Sequence, residues 1–330
     1  MAPAAVERRG GGIPPPLFFP ARGEAEVEKE KREILKRIDR FLDPYRITKG
    51  KGFRLKDIDP GDTGGLGSER KPDAGEMLAR GIQWMAEEQN KFYAHDRHAM
   101  LLVFQGMDAA GKDGTIRHVM SGVNPQGCQV YSFKQPSAEE LDHDFLWRCQ
   151  KCLPERGRIG IFNRSYYEEV IVVRVHKELV ERQKLPLPLV TRDIWKERLE
   201  DIAMFERYLA RQGTIILKFF LHVSREEQKR RFLERLDTPA KNWKFSAGDV
   251  QERGFWKEYM TAYEDAIRRT ASPEAPWHVI PADNKWFTRL AVAAVIVDAF
   301  WKLKLAYPRV DDAKRKELTL AREALMREMK

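Results

Sequence analysis

The chain has 330 residues, 42% of them hydrophobic, with 59 Lys+Arg against 50 Asp+Glu and a formal net charge of +9. That composition excludes a disordered chain, and the length allows one large α/β domain or two smaller ones, with roughly three quarters of the unfolded surface available for burial. Three cysteines, Cys128, Cys149 and Cys152, are too few for a disulfide framework, and the longest aliphatic run, 290–297, falls short of the ~20 apolar residues a spanning helix needs, so a cytoplasmic protein without membrane contact is expected.

In chain order, residues 1–23 are rich in Gly and Pro and predict a flexible leader. Residues 24–42 place Val27, Ile34, Leu35, Ile38, Phe41 and Leu42 at helical spacing, Gly and Pro punctuate 44–74, and an amphipathic helix over 74–96 carries Met77, Leu78, Ile82, Met85 and Phe92 on one face. Together these form an N-terminal helical extension, 24–96. From 97 to 305 apolar strands at 99–105, 128–133, 158–162, 214–223 and 277–280 alternate with helical patterns at 112–123, 137–152, 191–212, 224–237, 249–271 and 285–305, and a further helix is expected over 306–330. Such alternation predicts an α/β fold in which helices cover both faces of a parallel sheet, with ligands bound beyond the carboxyl ends of its strands.

The segment after the first of these strands, GMDAAGKDGTI at 106–116, matches the G-x-x-x-x-G-K core of a phosphate-binding loop. Gly106 and Gly111 let backbone N–H groups approach a phosphate, the following helix offers its positive N-terminus, and Lys112 adds a mobile charge. The backbone of Met107, Ala109, Ala110, Asp113, Gly114 and Thr115 completes the expected cradle. Asp113 stands where this motif normally has Ser or Thr, which removes the usual hydroxyl ligand for Mg²⁺. Asp108 therefore reads as a Mg²⁺ ligand, direct or through water, because a carboxylate beside a phosphate needs a cation between them. For Asp113 a metal role and an N-capping role stand equally.

RIGIFNRSYYEEV, 158–170, is a strand with a polar cluster at its carboxyl end, where a second catalytic element belongs. Asn163 takes the place of the usual acidic residue, Arg164 can fork onto phosphate oxygens, and Glu168 or Glu169 can supply the missing carboxylate; a solvated first helical turn accounts for the two glutamates equally well. Downstream, 224–246 places Arg230, Arg231 and Arg235 on one helix and Lys241 and Lys244 in the loop after it, the pattern of a lid that closes cations over a transferring phosphoryl group. Loops 121–127 and 132–148 face the same rim and are candidates for holding the acceptor, with Asn124, Asp142 and Asp144 in them and Arg117, Asn163, Tyr166 and Tyr167 close by in sequence to the two motifs. N-capping and surface polarity account equally well for any one of these. The Cys149–Cys152 spacing lacks the second pair a zinc site needs. Trp243, Trp256 and Trp286 are expected to pack, with the option that one stacks on a base.

GMDAAGKDGTIRHVMSGVNPQG, IGIFNRSYYEEV and the lid with KNWKFS, in that order over about 55–305, resemble the polyphosphate kinase 2 family, and in particular its branch acting on both nucleoside mono- and diphosphates. The resemblance implies a P-loop kinase-like three-layer sandwich with a helical lid, similar to thymidylate kinase, and Mg²⁺-dependent, reversible phosphoryl transfer from inorganic polyphosphate to AMP, ADP or related nucleotides, with Mn²⁺ as the alternative cation. It gives Asp108 to the metal, Lys112 and the loop amides to the transferring phosphates, Arg164 to polyphosphate or the transferred group, and Arg230 or Arg231 to the lid. Glu168 stands where the other branches place Asn, and is expected to position a metal and so admit both acceptors. A homo-oligomer and no nucleic-acid partner are expected. The alternative is an ATP-dependent nucleotide kinase of the thymidylate kinase-like group. The net-acidic stretch 61–150 holds the loop that needs a cation, and the net-basic stretch 151–250 holds Arg164 and the lid, as a groove for a linear polyanion would require.

Overall fold

The computed structural model describes residues 24–328, so the leader expected at 1–23 lies outside the described residues. Helix α1 (Glu24–Leu42) leads through a 3₁₀ turn into a two-residue strand, β1 (Arg46–Ile47), and then to α2 (Lys71–His95). The central unit follows as β2 (Ala99–Gln105), α3 (Lys112–Val119), β3 (Cys128–Ser132), α4 (Ala138–Leu141), α5 (Trp147–Gln150), β4 (Ile159–Asn163), α6 (Glu168–Val175), α7 (Ile194–Arg211) and β5 (Thr214–His222). It closes with α8 (Arg225–Asp237), α9 (Ala247–Glu252), α10 (Trp256–Thr270), β6 (Trp277–Pro281), α11 (Lys285–Lys302) and α12 (Asp312–Glu328).

The six strands form one sheet in the order β1-β6-β5-β2-β4-β3, parallel throughout except for β1, which pairs antiparallel with β6. β2 sits inside the sheet between β4 and β5, and all seven of its residues are buried, which is why its first six form a continuous apolar run rather than an alternating one, with only Gln105 polar at the end. The chain leaves β2 towards β3 and β4 on one side and later builds β5 and β6 on the other, so the order reverses at β2. In parallel sheets of this kind ligands bind where the order reverses, beyond the carboxyl ends of the strands, and the glycine-rich loop begins there, after β2.

Residues 24–96 share the core of the sheet unit. Trp84 of α2 packs on Trp301 of α11 with ring centroids 5.0 Å apart, and Phe92 meets Phe300 at 5.4 Å. Leu42, Tyr45, Leu55, Met85 and Phe92 join the same buried cluster as β2 and β5.

Three expected helices differ from those found. The pattern over 137–152 resolves into α4 and α5 because Ser137 and Glu140 form a capping box on α4, and Asp144 then accepts from Leu146 N (2.9 Å), a local bond that competes with helix continuation. The pattern over 249–271 breaks at a 3₁₀ turn, Arg253–Phe255, around Gly254. The helix expected over 112–123 ends at Val119. Trp256 and Trp286 pack against the core as expected, whereas Trp243 is 78% exposed. The three cysteines are free thiols, and no helix among the described residues is long and apolar enough to cross a membrane.

Candidate active site

The loop between β2 and α3 is built from residues that tolerate unusual backbone. Gly111 has φ +104° and caps α3 without a side chain, which leaves the first N–H groups of the helix for a ligand. Gly106 has φ +154°, and a Cβ there would stand 3.0 Å from the Leu221 carbonyl oxygen on β5. Between them Ala109 holds φ +62°, a left-handed conformation that disfavours any side chain. Lys112 folds back under the loop, its Nζ donating to the carbonyls of Gly106 (2.6 Å) and Met107 (3.3 Å). Burial, with the neighbouring Arg164 charge, pushes its ammonium down to about 8. Thr115 is buried in the first turn, its N–H bonded to Gly111 O (2.9 Å), and Gly114 lies beside it.

The carboxyl end of β4 meets this loop. Arg164, at φ +64°, donates its backbone N–H to Phe104 O (3.0 Å), which ties the strand end to β2. Its guanidinium bridges Asp108 (2.8 Å) and Glu168 (3.2 Å), so residues from the two motifs converge on one cation. Asn163 donates to Asp113 at 2.5 Å, and Asp113 makes no capping bond to α3.

The two adjacent glutamates separate. Glu168, with 12% of its side chain exposed, turns to Arg164. Glu169, at 3%, turns into the interior, where Gln183 donates to it and Arg148 (3.8 Å) and Arg198 (3.6 Å) flank it. In the orientation its neighbours require, the buried Gln105 amide donates to Glu168 Oε1 (2.9 Å) and accepts from Ser165 N (3.1 Å), fixing Glu168 from below.

On the lid side α8 opens at Ser224, whose side chain accepts from Glu227 N (3.1 Å). Arg230 is 61% exposed and held bidentate by Glu227 at 2.6 Å. Arg231, only 4% exposed, is directed the opposite way, into the loop. Its guanidinium donates to the carbonyls of Ala109, Ala110, Ala282 and Asp283 and to Glu227, so it is a buried anchor and not a mobile lid cation. The Lys244 side chain lies outside the described residues.

Asp249, at the start of α9, was missed by motif reading. Burial and the nearby Asp108 charge push its carboxyl up, and Arg235 stands 3.9 Å away, so a further acid faces the loop from beyond the lid. Its sequence signal, the Ser246–Asp249 capping box, pointed only to a helix start.

The expected acceptor contacts divide as well. Tyr166 and Tyr167 are fully buried and donate to Glu206 Oε1 (3.0 and 2.9 Å), while Lys218 holds the other oxygen, Oε2, at 2.6 Å, so neither tyrosine reaches the rim. Asn124 caps a short 3₁₀ turn through Gln126 N (3.0 Å) and is held by Gln89. Asp142 pairs with Lys184, and Asp144 is engaged by Leu146. Arg117 is exposed on α3 close enough to Arg289 for the two charges to repel.

Asp108 and Glu168 offer hard carboxylate oxygens to a single positive centre, Arg164, and that donor set fits Mg²⁺, which typically takes one or two carboxylates and shares the rest of its sphere with substrate phosphate and water. No cluster of three or more His, Cys, Asp or Glu at metal-binding spacing occurs among the described residues.

The family model described as polyphosphate kinase 2 matches residues 69–306. The ADP-polyphosphate phosphotransferase of Rhodopseudomonas palustris is 51% identical over 260 residues, covering 78% of this chain and 90% of that protein. The AMP/ADP-polyphosphate phosphotransferase of Meiothermus ruber is 44% identical over 274 residues, covering 82% and 97%. Among solved structures, polyphosphate kinase 2 from Arthrobacter aurescens TC1 superposes with a TM-score of 0.75 at 40% identity, covering 83% of this chain and 95% of that one.

Proposed function

The chain belongs to the polyphosphate kinase 2 family, and on that premise we propose that it transfers the terminal phosphoryl group of inorganic polyphosphate to AMP and ADP, reversibly. The observation that carries this reading is the convergence of Lys112, Arg164, Asp108 and Glu168 on the glycine-rich loop at the switch point of the sheet. The acceptor phosphate is already anionic near neutral pH, so the chain has no need of a strong general base. Its task is to hold two polyanions in line and offset their repulsion.

Lys112 moves its ammonium from the Gly106 and Met107 carbonyls to the transferring phosphate. Arg164, a planar fork, passes from its carboxylates to equatorial phosphate oxygens. Asp108 and Glu168, released from Arg164, would hold Mg²⁺, which when bound neutralises phosphate charge; Mn²⁺ suits the same oxygens. Arg230, exposed on α8, covers the transferred group from the lid. A cytoplasmic location is supported by the free thiols, and a homo-oligomer by α12, where Leu318, Leu320 and Leu325 are exposed.

Incubating the chain with polyphosphate, Mg²⁺ and AMP tests the reading through the appearance of ADP and then ATP. Transfer from ATP with none from polyphosphate would replace it with the ATP-dependent nucleotide kinase.

A further inference from the structure

Five successive carbonyls of the phosphate loop are tied back by three side chains. Lys112 takes those of Gly106 and Met107, Gln228 takes Asp108 O (2.8 Å), and Arg231 Nη1 takes Ala109 O (2.8 Å) and Ala110 O (2.9 Å). Arg231 Nη2 reaches the loop after β6 through Ala282 O and Asp283 O (2.5 and 3.1 Å), and its Nε is fixed by Glu227 (2.7 Å). All five N–H donors of this guanidinium therefore point at fixed acceptors, four of them main-chain oxygens.

A trans peptide sets its C=O and the following N–H on opposite sides. With the Asp108 and Ala110 carbonyls held towards α8, the N–H groups of Ala109 and Gly111 are aimed away from it, into the mouth of the loop, while the N–H of Ala110 closes a turn on Met107 O (3.1 Å). This arrangement needs Ala109 in its left-handed conformation, and the carbonyls on either side of that residue and its own are those that Gln228 and Arg231 grip.

We propose that Gln228 and Arg231 are positioning residues of the reaction: as one clamp on α8 they hold the phosphate loop in the strained shape that presents its amides to the donor, without touching the transferred group. The proposal rests on the function given above for its kinetic part. It separates Arg231 from its neighbour Arg230, and it makes the first turns of α8 part of the loop's rigid support.

The test is Arg231→Lys, which keeps the charge and loses the fork, in the full chain. Two measurements are made: steady-state kinetics with polyphosphate, and amide hydrogen exchange at Ala110 without substrate. The expected result is a KM for polyphosphate raised about tenfold or more with kcat within about threefold, and faster exchange at Ala110 while β2, β4 and β5 exchange as before. A loss confined to kcat would overturn the proposal by placing Arg231 on the transferred group. Unchanged Ala110 exchange, or exchange raised equally along the strands, would overturn it as well. If Arg231→Lys does not fold, Gln228→Ala, which frees the Asp108 carbonyl alone, is read by the same two measurements. A wild-type chain without transfer from polyphosphate defeats the function and leaves the exchange measurement to decide the clamp.

Discussion

Arg164 Nη2 stands 2.8 Å from Asp108 Oδ1, joining the end of β4 to the loop after β2 across 56 positions of sequence. The pair is only partly buried, with 39% and 32% of the side chains exposed, so its worth to stability is small, about 0–1 kcal/mol. Its consequence is chemical: a fork and a carboxylate, both built to recognise a phosphate or its counter-cation, hold one another at the site.

Lys112→Ala should abolish transfer, with a loss of about 10³-fold or more in kcat/KM, because Arg231, the other buried cation at the loop, is committed to main-chain oxygens and Glu227 and cannot take the place of the Lys112 ammonium. The fold should survive, since Lys112 contributes two bonds to carbonyls of its own loop. Activity with polyphosphate and AMP, measured beside the thermal midpoint, checks both parts; substantial turnover would remove Lys112 from the mechanism.

The same ammonium sets a pH dependence. Its pKa is lowered from 10.5 to about 8 by burial and by Arg164, so the free chain loses the charge as pH rises through about 8. kcat/KM for polyphosphate should therefore fall above that pH, while bound polyanion raises the pKa and keeps kcat level further into the alkaline range. Stability runs the other way. Between about 8 and 10.5 the unfolded chain binds the proton that the folded chain has released, so the Lys112 contribution to stability rises with pH, and the loss of activity is not unfolding. A kcat/KM profile flat to pH 10 would contradict the assignment.

Glu168→Asn removes the carboxylate that faces Arg164 and keeps an amide that Gln105 and Arg164 can still meet. If Glu168 positions the cation that admits both acceptors, the ratio of AMP to ADP activity should change by roughly tenfold, about 1.4 kcal/mol of discrimination. An unchanged ratio, with both activities lowered alike, would leave Glu168 a general support of the site.

The sheet and the loop were legible because their signals are local: β2 is apolar from its first residue to Phe104, and the glycines and Lys112 have a fixed spacing. The roles of adjacent polar residues were not. Arg230 and Arg231 are equivalent in a charged helical sequence, and only the packing of α8 on a loop some 120 positions earlier sends one outward and one under Ala109. Glu168 and Glu169 part for the same reason, because α6 turns by about 100° between them and presents one to Arg164 and the other to Arg148 and Arg198. Tyr166 and Tyr167 sit beside the motif in sequence, yet their hydroxyls are claimed by Glu206 from α7, a partner that no spacing rule reveals.

That claim on the tyrosines leads to a stability prediction. Lys218 and Glu206 are buried completely, 2.6 Å apart, with Tyr167 and the Thr270 carbonyl taking further Lys218 donors at 3.1 and 2.8 Å. Burial lowers the Lys218 pKa and raises that of Glu206, and the pair together offsets the loss of hydration. Lys218→Met strands Glu206 without its cation and should cost about 3–5 kcal/mol, read as a lower denaturation midpoint. Adding Glu206→Gln, which removes the stranded charge while keeping an acceptor for the tyrosines, should recover part of that loss. A double variant no more stable than Lys218→Met alone would mean that packing around Trp277, and not the unpaired charge, sets the cost.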